Sequence, residues 1–110
     1  MHHLSVEMQN CVDACLRCHQ ACLGEAMGHC LEAGGEHVAP EHFRLMMACA
    51  EICRTAASFM LIQSPHHQQI CEQCADICEE CADDCEALGD MESCVDACRR
   101  CADSCRAMAG

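Results

Sequence analysis

The stretch Cys71-Glu72-Gln73-Cys74-Ala75-Asp76-Ile77-Cys78-Glu79-Glu80-Cys81-Ala82-Asp83-Asp84-Cys85 decides the fold. Its cysteines are separated by alternating steps of three and four. At 100° per residue they fall at about 0°, −60°, −20°, −80° and −40°, one stripe of an α-helix, whereas a strand repeats every second residue. The pattern recurs along the chain. Cys11, Cys15, Cys18 and Cys22 fall at about 0°, 40°, −20° and 20°, and Cys94, Cys98, Cys101 and Cys105 repeat those angles. Cys49 and Cys53 lie one turn apart on a further segment, richer in Met, Leu, Ile and Phe, which carries most of the conventional packing. Asp13, Arg17, Glu72, Asp76, Glu79, Asp83, Asp96, Arg99 and Asp103 are left to cover the outside.

Turn residues divide the chain into four helical segments of 4–33, 40–62, 65–88 and 90–108. Gly34-Gly35 closes the first, and Pro40 suits the first turn of the second, where its missing N–H costs nothing. Ser64-Pro65 reads as an N-cap followed by a first-turn proline. Gly89 ends the third helix and Asp90 caps the fourth. Short connections make neighbouring helices antiparallel. The expected fold is therefore all-α, an up-down four-helix bundle with a cysteine-lined core, formed as one domain over residues 1–110.

Composition agrees that sulfur fills the interior. Cysteine supplies 16 of 110 residues, while Leu, Ile, Val and Phe together number 17 and Trp and Tyr are absent. Formal charge is −12 with no Lys, so the chain repels phosphate, and binding to nucleic acid or an anionic membrane surface is not expected. No apolar run approaches the length of a membrane span. The opening Met1-His2-His3-Leu4-Ser5-Val6-Glu7 does not read as a secretory signal, so the chain is expected to stay in the cytoplasm. Thiols persist there, and dense cysteine points to metal rather than to crosslinks.

The spacing bears on what those thiols do. Cβ atoms one helical turn apart are about 5–6 Å from each other, too far for a disulfide, which needs about 3.8 Å. Thiolates flanking a two-coordinate ion need roughly 4.5 Å between sulfurs, twice a metal–sulfur bond of about 2.3 Å, and such side chains converge to that distance easily. The CxxxC pairs Cys11/Cys15, Cys18/Cys22, Cys49/Cys53, Cys74/Cys78, Cys81/Cys85, Cys94/Cys98 and Cys101/Cys105 each fit such a clamp. Zn(II) prefers separate tetrahedral cages of four cysteines, and iron–sulfur clusters draw ligands from loops at other spacings. Cu(I), satisfied by two or three sulfurs and by bridging thiolates, suits a ladder best, at roughly one ion per cysteine. Cys15-Leu16-Arg17-Cys18-His19 also matches the CxxCH haem-attachment pattern. Both of its cysteines belong to the repeating stripe, and the match is read as coincidence.

The sequence resembles the small four-helix-bundle copper storage proteins of bacteria. The resemblance rests on the Cys11–Cys22 stripe with Cys18-His19 and on His29-Cys30-Leu31-Glu32 leading into Gly34-Gly35. It continues through Cys49-Ala50-Glu51-Ile52-Cys53, Ser64-Pro65, the Cys71–Cys78 run, and the Cys94–Cys105 stripe before Met108. It implies Cu(I) bound by inward-facing thiolates, entry at one open end, a signal-less cytosolic branch, and often a homotetramer. The chain departs from some relatives in carrying His42 where they have a further cysteine near the start of the second helix.

Antiparallel topology gathers His29, Cys30, His37, His42, Met46 and Met91 at one end, where weaker and faster-exchanging ligands suit an entry port. His29 lies at about 0° on the first stripe and His42 at about 20° from Cys49. Met46 and Met91 serve equally well as gap fillers. Cys30, near 100°, joins a site at this mouth or is simply buried. At the opposite end Met8, Phe59, Met60, His67 and Met108 form a hydrophobic plug. The expected function is storage or buffering of many Cu(I) ions, not enzymatic catalysis. Its rivals are a thiol redox sensor or buffer, which needs a few exposed low-pKa cysteines, and a zinc reservoir. Because Ala, Met and neutral thiols pack without metal, the bundle is expected to be preformed.

Overall fold

A computed structural model describes residues 4–109, so the opening Met1-His2-His3 lies outside the described residues. Helix α1 (Val6–Glu25) starts where Ser5 Oγ accepts the Met8 N–H at 3.1 Å, satisfying one orphan donor of the first turn. It passes into a π-helical turn (Ala26–Cys30) and a last α-helical turn, α2 (Leu31–Ala33), which ends at Gly34 with φ +66°. A 3₁₀ turn (Gly35–Val38) leads to α3 (Pro40–Leu61), opened by its proline as the sequence predicts. Then come α4 (His67–Leu88) and α5 (Glu92–Ala109).

Two boundaries differ from expectation. Ser64 Oγ does accept a backbone N–H, that of His66 at 3.1 Å, but Pro65 and His66 remain in the turn and α4 begins at His67. Gly89 closes α4 at φ +88°, yet Asp90 does not cap α5. Asp90 sits in the left-handed region at φ +60°, and the first α5 bond runs from Val95 N–H to the Met91 carbonyl at 2.9 Å. Met91 therefore takes the capping position, which turns its side chain inward to 2 % exposure.

The four long helices form a closed ring in the order α1, α3, α4, α5, about 48 Å long and 23 by 19 Å across. Each runs antiparallel to its neighbours. Cys11, Cys18 and Cys22 of α1 meet Cys105, Cys98 and Cys94 of α5, while Cys49 and Cys53 of α3 meet Cys78 and Cys74 of α4. All sixteen cysteines are free and fully buried, and Ala26, Ala50, Ala56, Ala57, Ala75, Ala82, Ala97 and Ala102 fill the space between helices. These small residues let the backbones approach closely. Met8, Met60 and Met108 pack against the core at the opposite end, whereas Phe59 is not among the residues packed there and Met8 and His67 line an open surface cavity; His67 Nδ1–H donates to the Ser64 carbonyl at 2.9 Å.

Outside, Arg106 of α5 bridges Asp76 and Glu79 of α4 at 2.7 and 2.9 Å, and Arg99 pairs with Asp83 at 3.1 Å. These exposed pairs fix register more than they stabilise. Nothing in this packing calls for a metal. The reduced, metal-free protein will accordingly give a strongly helical far-ultraviolet circular dichroism spectrum at neutral pH, and a random-coil spectrum would contradict a preformed core.

Candidate metal site

The stripes read from the sequence converge on the bundle axis. Neighbours on one helix lie close, with Cys18–Cys22 and Cys74–Cys78 at 3.9 Å and Cys81–Cys85, Cys94–Cys98 and Cys101–Cys105 at 4.0 Å. Contacts between helices are as short or shorter. Cys22–Cys94 is 3.1 Å, Cys53–Cys78 3.4 Å, and Cys15–Cys101 and Cys15–Cys105 are both 3.6 Å. Sulfurs even meet across the diagonals, with Cys18–Cys78 at 4.0 Å and Cys49–Cys98 and Cys53–Cys101 at 3.8 Å. The CxxxC pairs are thus not isolated two-sulfur clamps. Overlapping groups of four thiols run along the axis, among them Cys15/74/101/105, Cys53/74/78/101, Cys18/49/53/78, Cys18/22/49/98 and Cys22/81/94/98, which together use twelve cysteines, with all sulfurs of a group within 4.8 Å of one another. Consecutive groups share members, so one sulfur can serve two ions. Cys11, Cys71, Cys85 and Cys30 extend the array toward its ends.

Eleven of the sixteen thiols hold their protons in this dry interior, whereas contacts with neighbouring thiols shift Cys11, Cys18, Cys49, Cys74 and Cys94 below the ordinary thiol value. Contacts with Cys18, then Cys49, Cys81 and Cys94, together with burial, push Cys22 far above the ordinary thiol range. Contact with Cys105, then Cys15, Cys18 and Cys53, does the same for Cys101. Burial first, and Glu25 second, raises Cys30. Within the 3.1 Å pair, contact with Cys22 lowers Cys94 to about 6, making it the partner that gives up its proton.

His29, Cys30, His37, His42, Met46 and Met91 do meet at one end, but in a different arrangement from that expected. Cys30, off the seam by an ideal-helix count, is fully buried, whereas His29 is only half-buried. The π turn is the reason. An i→i+5 turn takes one residue more than an α turn, so the phase slips by roughly 100° and Cys30 takes the inward position. Cys30 Sγ then lies 3.8 Å from Met46 Sδ, 3.9 Å from Met91 Sδ and 4.0 Å from His42 Nε2. Met46 and Met91 therefore flank a thiol rather than merely filling gaps. His29 and His37 rings stack edge to face at 4.9 Å, and His29 Nε2 and His37 Nδ1 are buried without hydrogen-bond partners.

Asp84, unremarked in the sequence, receives the Nδ1–H of His42 at 2.5 Å. Its one available signal was its position beside Cys85, on the flank of the α4 stripe. His19 of the CxxCH match donates Nδ1–H to the Ala50 carbonyl at 2.8 Å, and both cysteines of that match belong to the sulfur ladder.

A family model described as copper storage protein matches residues 4–110. The chain belongs to the copper storage protein family. A crystal structure of the Nmul_A1745 protein from Nitrosospira multiformis is 54% identical and covers 94% of each chain with a TM-score of 0.92. The Cu(I)-bound copper storage protein BsCsp3 is 37% identical over 94% of this chain and 99% of its own, with a TM-score of 0.87. An uncharacterized cysteine-rich protein of Bacillus subtilis, YhjQ, is 39% identical over 66 residues, and the match spans 60% of this chain and 60% of that relative. The fold of this copper storage family member agrees with that of both solved structures. Among the described residues no helix is long and apolar enough to cross a membrane.

Proposed function

We propose that this chain stores or buffers Cu(I) in the cytosol, taking up many ions through its buried cysteines rather than catalysing a reaction. The observation that carries the reading is the overlap of four-thiol groups along the axis, because shared thiolates suit an ion that accepts bridging sulfur. Charge favours the same ion. Three groups that share no member, Cys15/74/101/105, Cys18/49/53/78 and Cys22/81/94/98, would accommodate three Zn(II), but twelve thiolates would then leave six negative charges in a dry core. One Cu(I) per thiolate leaves none, and burying uncompensated charge costs several kcal/mol per ion. Full burial of all sixteen thiols also disfavours a redox sensor, whose reactive cysteine must be exposed.

His29, Cys30, His42, Met46 and Met91 are proposed as the port, where imidazole and thioether bind Cu(I) loosely enough to pass it on. Leu16, Leu23, Met27 and Leu31, exposed along one face of α1 and its continuation, support assembly of several copies through that face. Anaerobic titration of the reduced protein with Cu(I) against a strong chelator tests the function. Uptake on the order of ten or more equivalents per chain is expected from roughly one ion per thiol. Saturation at one or two would overturn storage. In a second arm, Cu(I) will displace Zn(II) completely from zinc-treated protein, and retention of zinc would favour a zinc reservoir.

A further inference from the structure

We infer that Asp84 is a positioning residue for copper transfer at the port, acting through the tautomer of His42; this rests on the port assignment above. His42 comes from the first turn of α3 and Asp84 from the last turns of α4, so the pair spans two helices at the mouth. His42 is 7 % exposed. A neutral imidazole carries one N–H, and its other nitrogen is the only one with a lone pair for a metal. The Asp84 carboxylate accepts from Nδ1 at 2.5 Å, which holds the proton on that nitrogen. Nε2 is left as the bare donor, and it is the nitrogen that lies 4.0 Å from Cys30 Sγ beside the two thioethers.

Without Asp84 the proton is free to move to Nε2, where it would block the inward lone pair. Metal-bound histidines in general are oriented by such a carboxylate, whose loss weakens metal binding by about 10–100-fold. The Asp84 side chain is half-exposed, so it reaches His42 from the rim of the bundle.

The test begins without metal. Imidazole nitrogen NMR of the reduced, metal-free protein at neutral pH will show His42 protonated at Nδ1. Asp84→Leu will shift the proton toward Nε2, and Asp84→Asn, which keeps an oxygen acceptor, will preserve the native tautomer. In stopped-flow loading with substoichiometric Cu(I), Asp84→Leu will slow uptake about tenfold, Asp84→Asn much less, and neither will change final capacity. Asp84→Leu will add nothing further in a His42→Phe background. An unchanged tautomer in Asp84→Leu would overturn the inference, as would an equal slowing in the His42→Phe background. Loss of total capacity in the wild-type protein would instead count against the storage function and leave the tautomer result standing. Should Asp84→Leu lose helicity, Asp84→Ala takes its place in both readouts, with the same shift of the His42 proton toward Nε2 and the same slowing expected.

Discussion

Anaerobic loading with Cu(I) will raise the thermal midpoint of the reduced protein by about 40 °C or more, with a transition beyond the reach of an ordinary scan at full loading. A ligand that binds only the folded state stabilises it by about 2.7 kcal/mol per site at a free concentration one hundred times Kd. For a domain of this size, about 1 kcal/mol moves the midpoint by roughly 4–8 °C. Four independent sites therefore suffice for the expected shift, and the core offers more sulfur than that requires. The unfolded chain also binds Cu(I) through its CxxxC pairs, which subtracts from the effect. It cannot, however, reproduce groups such as Cys18/49/53/78, which draw on three separate helices. The increase should thus grow with each equivalent and reverse on adding a strong Cu(I) chelator. A midpoint that does not move on loading would place the bound copper outside the bundle core.

The stripes on α1, α3, α4 and α5 were legible because alternation of three and four survives any uncertainty at helix ends, and a cysteine has little reason to line a helix face except to meet other sulfurs. Cys15, Cys18, Cys74 and Cys101 reach the axis as their angles require. Three features were not legible. The π turn over Ala26–Cys30 changes phase within an uninterrupted run of helix-forming residues, and Gly24 and Gly28 nearby give no direction to the change. This is why an ideal-helix count gives His29 the inward place that Cys30 holds. Register across helices was also hidden, so the CxxxC pairs read as separate clamps until the contacts with opposing helices closed them into groups of four. Asp84 was masked by its neighbours, since Glu79, Glu80 and Asp83 make it one acid among many, and only its level against His42 in the folded bundle distinguishes it.

The metal-free bundle will unfold between about pH 9 and 11, while the copper-loaded protein keeps its helicity through the same range. Cys15, Cys22, Cys30, Cys53, Cys71, Cys78, Cys81, Cys85, Cys98, Cys101 and Cys105 all have their thiol pKa raised in the folded state. The fold holds these groups neutral, and the unfolded chain lets them ionise near the ordinary thiol value of about 8.5. A raised pKa contributes stability that is fully present below the unfolded value and is lost as pH climbs through it toward the folded one. Cys11, Cys18, Cys49, Cys74 and Cys94 are lowered instead and add no slope above the unfolded value, where both states are ionised. One pH unit above the unfolded value, each raised thiol favours unfolding by about 1.4 kcal/mol, so eleven of them approach roughly 15 kcal/mol. That equals or exceeds the whole stability of a typical domain, about 5–15 kcal/mol. Copper removes the linkage, because a coordinated sulfur has already given up its proton and has none left to release. The measurement is far-ultraviolet circular dichroism under argon, followed together with thiolate ultraviolet absorbance, for the reduced metal-free and loaded forms. Loss of helix should coincide with the rise in thiolate absorbance in the first and be absent in the second. A metal-free bundle that stays helical at about pH 11 with its thiols ionised would mean that water reaches the sulfur ladder, and the dry core on which the preference for Cu(I) rests would have to be abandoned.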